Sequence, residues 1–167
     1  MGKNNKIIAV IFILLVIIIS SYIYKNLAKN NEESSMMKDK KTLEGYNGEL
    51  LAGNESPYLA FNQEDYNKAR ADNKIIFLDF YANWCPICKK EQPETFAAFN
   101  DLSSNNIIGF RVNYKDSETD ENEVALAKEF GISYQHTKVI IKDGKQVLKA
   151  PDSWNKERVL EELNKFS

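Results

Sequence analysis

The sequence predicts an α/β domain, a mixed central sheet with helices on both faces, preceded by one amino-terminal transmembrane helix. Three observations carry this expectation. Short apolar runs alternate with helix-length stretches from Tyr58 onward, which implies parallel strands joined by crossover helices. Asp143-Gly144 then separates two strand-like segments as a hairpin turn, which adds antiparallel strands to the sheet. Ile7 to Ile19 is an unbroken apolar run, extended past two serines to Tyr24.

Ile7 to Tyr24 spans 18 residues, against the roughly 17–25 that a spanning helix needs. Tyr22 and Tyr24 fall where interfacial aromatics sit. Lys3, Lys6 and the terminal amine precede the run, and Lys25 and Lys29 follow it. That small asymmetry favours the amino terminus inside and the rest of the chain outside the cytoplasm. A cleaved signal peptide is the competing reading. Its apolar region is shorter, about 7–15 residues, and it ends in small residues, for which Ser20-Ser21-Tyr22 is a poor match. An uncleaved signal anchor over residues 1–24 is therefore expected. Residues 25–57 read as a flexible linker. The stretch to about Thr42 is polar and aperiodic, and Gly45 to Pro57, with its apolar patch Leu50-Leu51-Ala52, is placed on the domain surface. Residues 58–167 form the domain.

Within the domain, Tyr58 to Phe61 reads as a short strand. Asn62 caps a helix to about Ala71, with Glu64 and Asp65 in its first turn. Ile75 to Tyr81 is apolar except for Asp79, as in a strand buried on both faces. A helix follows to about Leu102, then a strand at Ile107 to Asn113. The acidic stretch Asp116 to Glu123 lacks the glycine and spacing of a calcium loop, and leads instead into a helix stopped by Gly131. Lys138 to Ile141 and Gln146 to Lys149 flank the hairpin turn. Val159, Leu160, Leu163 and Phe166 mark a last helical stripe.

Composition excludes several classes. The 167 residues suit one domain, and 24 acidic against 22 basic residues give a net charge of −2, unlike the basic excess of nucleic-acid binders. Two cysteines cannot staple a disulfide scaffold, and with one histidine they allow at most one three-ligand metal site.

The chemistry lies at Cys85 and Cys88, separated by two residues, where a buried strand turns into a helix. At that junction unpaired N–H groups and the helix dipole stabilise a Cys85 thiolate, the nucleophile of disulfide exchange. Cys88, one turn later, can resolve the mixed disulfide. Pro86 at the first helical position loses no helix hydrogen bond and removes an N–H near the Cys85 sulfur. The competing reading is half of a structural zinc site, which needs four protein ligands where only His136 is left to add.

Phe77 to Cys85, with Trp84 before the pair, Pro93 five residues after Cys88, and Gly131-Ile132, Thr137 and Lys142-Asp143-Gly144 further on, resemble the thioredoxin superfamily. The motif is similar in particular to the carboxy-terminal thioredoxin domain of the transmembrane reductant conductor DsbD. The resemblance covers about Tyr58 to Ser167. It implies a thioredoxin-like fold and a thiol–disulfide oxidoreductase with a Cys85–Cys88 redox disulfide, which the amino-terminal apolar run and its flanking lysines make membrane-tethered and extracytoplasmic. The reductase direction is preferred. Protein thiols and disulfides are the implied substrates, an unidentified redox partner resets the pair, and no cofactor is needed. Asp79, six residues before Cys85, falls where members carry a buried carboxylate and could relay the Cys88 proton. Trp84 is expected to shield the pair and shape the docking surface. Glu91 is a candidate tuning residue, although a solvated helix-face charge is preferred for it. The departure is His136, which stands where the family places a cis-proline before the residue matching Thr137. Gln135–His136 is expected to be trans, because a cis bond without proline costs about 2.5–4 kcal/mol. His136 and Thr137 are assigned to docking and tuning. An alternative makes Cys85, Cys88 and His136 a soft-metal site and the protein a copper chaperone or metal-binding module.

Overall fold

The computed structural model describes residues 19–21 and 43–167. The expected membrane helix, residues 7–24, lies outside the described residues except for 19–21, which are helical. No helix among the described residues is long and apolar enough to cross a membrane. The chain divides into two units, Met1–Lys40 and Lys41–Ser167, and the second holds the fold.

Among the described residues, six strands form one mixed sheet. They are β1 (Leu50–Ala52), β2 (Tyr58–Ala60), β3 (Ile75–Tyr81), β4 (Ile107–Asn113), β5 (Thr137–Lys142) and β6 (Lys145–Ala150), in spatial order β1-β2-β4-β3-β5-β6. β2, β4 and β3 run parallel, while β1, β5 and β6 pair antiparallel with their neighbours. Within Lys41–Ser167, four helices accompany them: α1 (Gln63–Ala71), α2 (Pro86–Asp101), α3 (Glu121–Glu129) and α4 (Lys156–Asn164). The strand β3 is central, and its alternate residues feed two cores. Ile76, Leu78 and Phe80 pack with Tyr66 of α1 and Leu126 of α3. Ile75 and Phe77 pack with Phe99 of α2 and Val159 and Leu163 of α4. Asp79 shares the parity of the second set, so its carboxylate belongs to the α2 side.

Local chemistry explains the boundaries. Asn62 accepts from the Glu64 and Asp65 amides at 3.0 and 3.2 Å and starts α1. Asp120 and Glu123 form a reciprocal capping box at the start of α3, with Glu123 also accepting from the Asn113 amide at 2.7 Å. Asp143 and Gly144, at φ 53° and 70°, turn β5 into β6. Gly109 is required on β4, because a Cβ there would stand 2.5 Å from the rings of Phe99 and Tyr58.

One expectation needs correction. The stretch ending at Pro57 is not all linker: Leu50–Ala52 is an edge strand paired with β2. Asp65 holds the approach to it. Its buried carboxylate accepts from the Asn47 amide, at 3.0 Å to each oxygen, and from the Gly48 amide at 2.7 Å. Gly53 and Ser56 bond to Asn100 in the last turn of α2 and to Ser104 in the loop after it. A three-residue strand leaves too little periodicity to be read in sequence; its partners lie elsewhere in the chain.

Candidate functional site, a buried dithiol at a helix start

β3 ends at Tyr81, and four residues later the chain enters α2. The turn is clamped from outside. The Asn83 amide donates to Asp116 Oδ2 at 2.8 Å, and the Trp84 indole donates to the Lys115 carbonyl at 3.0 Å. Cys85 is the N-cap of α2 and Pro86 occupies its first turn. The Cys88 amide donates to Cys85 Sγ at 3.1 Å, one of the otherwise orphaned amides of the helix start. Cys85 Sγ thus faces a backbone N–H at the positive end of the helix dipole, the setting in which a sulfur can act as nucleophile. Both cysteines are free thiols, 1% and 4% exposed.

Cys88 lies one turn further along the helix. Burial pushes its thiol up to about 12, reinforced by its hydrogen bond to Cys85 and by the charges of Cys85 and Asp79. It keeps its proton until a base takes it. Asp79 is suited to accept that proton. Burial raises its carboxyl above the ordinary range, against the lowering influence of Lys138, while Glu91 adds to the rise. Tyr58 donates to Asp79 Oδ2 at 3.1 Å.

Glu91 corrects a second expectation. It is no solvated helix-face charge but is 6% exposed, in a 2.7 Å ion pair with fully buried Lys138. Its Oε1 also accepts from the Trp154 amide at 2.5 Å, and Lys138 donates to the carbonyls of His136 and Asp152 at 3.1 and 3.2 Å. One ion pair thus ties α2, β5, the His136 loop and the segment before α4. Lys138 and Tyr58 were not singled out in sequence. The available signal was a lysine opening an otherwise apolar strand, and β-pairing makes it the direct partner of Asp79.

The loop before β5 supplies His136. Its amide donates to the Phe80 carbonyl at 2.7 Å, its peptide bond is trans as expected, and its φ is 54°. A left-handed backbone is uncommon outside glycine, and histidine is among the residues that adopt it more readily. Thr137, assigned to docking, instead turns inward: it is 2% exposed and its hydroxyl donates to the Tyr134 carbonyl at 2.8 Å, closing the loop. The ring nitrogens of His136 and the sulfurs of Cys85 and Cys88 contribute three ligand atoms within 4.8 Å of one another. Trp84, Ile87 and Tyr134 are the exposed apolar side chains near these residues in sequence, and Trp84 is 53% exposed. A groove of about 560 Å³ opens from Ile87 along Lys90, Glu94, Ser153 and Asn155.

The family model for thioredoxin matches residues 57–165, which include this whole site. The chain belongs to the thioredoxin family. It is 37% identical to thioredoxin H4 of Arabidopsis thaliana over 48% of this chain and 62% of that one. The chain thus spans less than two thirds of that relative's length. It is 30% identical to thioredoxin of Chlamydia caviae over 62% of this chain and 93% of that one. Among solved structures, thioredoxin from Aeropyrum pernix superposes with a TM-score of 0.55 at 17% identity, over 74% of this chain and 98% of that one, which shows the shared fold. Within this thioredoxin-family domain, the paired cysteines sit at the helix start with a buried carboxylate on the strand before them.

Proposed function

We propose that the protein is a thiol–disulfide oxidoreductase working as a reductase of protein disulfides. In this reading it is held at the membrane by residues 7–24, with its domain outside the cytoplasm. The observation that carries the chemistry is the asymmetry of the pair: the Cys88 amide supports charge on Cys85 Sγ, while Cys88 keeps its proton. The Cys85 thiolate attacks a substrate disulfide, forming a mixed disulfide and expelling one substrate thiolate. Asp79 then takes the Cys88 proton, directly or through water. The Cys88 thiolate attacks Cys85 Sγ, the substrate's second sulfur leaves, and the Cys85–Cys88 disulfide forms. An external dithiol partner returns two electrons and two protons to the pair. Reductase direction rests on the resemblance to the DsbD domain, and the outward orientation on the lysine asymmetry.

A redox titration of the full chain tests direction. The expected midpoint lies near about −270 mV, the value of thioredoxin itself, whereas one near about −120 mV would make the protein an oxidant. Failure to reduce insulin disulfides with a dithiol donor would remove the exchange reading altogether. Protease treatment of intact cells should digest the domain; a protected domain would overturn the orientation.

A further inference from the structure

His136 is used neither by the exchange chemistry nor by the ion-pair network, except through its backbone. Its amide is bonded to Phe80 and its carbonyl to Lys138, so the main chain is held at both ends. The backbone is in the left-handed region at φ 54°. This placement brings the imidazole to the two sulfurs. There its Nδ1 is buried without a hydrogen-bond partner, which is costly for a polar atom. Among the described residues, Cys85, Cys88 and His136 are the one set of three such side chains whose ligand atoms converge within 4.8 Å. Donors around a single ion, at bond lengths of about 2.0 Å to nitrogen and 2.3 Å to sulfur, stand about 4 Å apart. Small side-chain adjustments would therefore close the set around an ion.

We propose that the reduced protein binds one thiophilic d10 ion, Cu(I) or Zn(II), through Cys85 Sγ, Cys88 Sγ and a ring nitrogen of His136, and that the bound ion and the disulfide are alternative states of one pair. Two thiolates and an imidazole select such ions over magnesium or calcium. Binding releases whatever thiol protons the pair still carries and moves no electrons. The sulfur lone pairs that would attack a substrate or each other are then engaged, so the loaded protein resists oxidation. This second half rests on the exchange reading, and the binding half does not.

The test titrates the reduced full chain, in detergent and without oxygen, with Zn(II) in one series and Cu(I) in another, against chromophoric chelators. One ion per chain is expected in at least one series, and which series it is names the ion. The diamide-oxidised protein should bind none. His136→Asn and His136→Gly both accept a left-handed backbone, and each should weaken binding at least about 100-fold, beyond the range seen for outer-shell partners. Circular dichroism checks their fold. Binding by neither ion, or binding in both variants as tight as wild type, overturns the site. Glutathione disulfide should oxidise the loaded protein more slowly than the metal-free protein; equal rates overturn the alternative-state half. Insulin reduction by the metal-free protein is scored separately, so a failed exchange reading is not confused with a failed metal site.

Discussion

Asp65 and Asp79 are both sealed from solvent, at 2% and 5% exposure, yet their surroundings differ in kind. Asp65 accepts backbone amides of Asn47 and Gly48 on both oxygens. Those donors are fixed dipoles that cannot titrate or leave. Asp79 has one tyrosine hydroxyl, and otherwise balances against the charges of Lys138, Glu91 and Arg111. The first arrangement fastens an edge strand to the fold. The second leaves a carboxylate whose proton affinity is raised by burial and adjustable by neighbours, as a proton relay beside a buried thiol requires. A buried charge is structural when backbone N–H groups fill its lone pairs, and chemical when they do not.

The largest effect should come from the charges around Asp79. Lys138→Met leaves Glu91 buried and uncompensated, and should cost about 3–5 kcal/mol of unfolding free energy. Pairing it with Glu91→Met should recover much of that loss in urea melts. A double variant no better than the single would show that the ion pair is not the seat of the effect. Asp79→Asn should slow resolution of the mixed disulfide about 100-fold, the lower range for general acid–base catalysis. Its rate should recover as pH rises toward the Cys88 pKa. The sign of its stability effect follows from the raised carboxyl. Stability from Asp79 is present below the unfolded pKa and lost as pH rises through the folded one, so Asp79→Asn should unfold at higher urea than wild type at pH 8. An unchanged pH profile would remove Asp79 from the relay.

Asp65→Ala should act on the other side of the comparison. It strands the Asn47 and Gly48 amides and should cost about 2 kcal/mol, while the midpoint potential stays within error of wild type. A shifted potential would erase the distinction between the two aspartates. The smallest effect is expected at Glu123, where burial pushes the carboxyl up to about 7 against two opposing backbone N–H bonds. Its stabilising contribution is full below its unfolded pKa and lost as pH rises through about 7. Glu123→Gln should therefore flatten the stability profile over that window, measured by urea melts at a series of pH values.

Much of this fold was legible in the residues because its signals are local. The apolar runs Ile75–Tyr81 and Ile107–Asn113 coincide with β3 and β4. Asn62, Gly131 and Asp143-Gly144 mark ends and turns through backbone preferences that each residue carries with it. The Cys85–Cys88 spacing and the charge of Asp79 in a buried strand likewise announced the site. Residues 7–24, read as a membrane anchor, stand on hydropathy and length alone.

What the sequence could not disclose is pairing at a distance. Sheet register sets Lys138 opposite Asp79, α2 brings Glu91 to that lysine across 47 residues, and the Asp65 carboxylate finds amides 17 and 18 residues upstream. The second of these turned a charge read as solvated, Glu91, into a buried one. Residue type and periodicity determined which segments become strands and helices and which atoms are reactive. The tertiary structure decided which charges meet, which are desolvated, and that the one histidine stands beside both sulfurs. Those outcomes depend on distances and dielectric surroundings that exist only once the sheet has assembled.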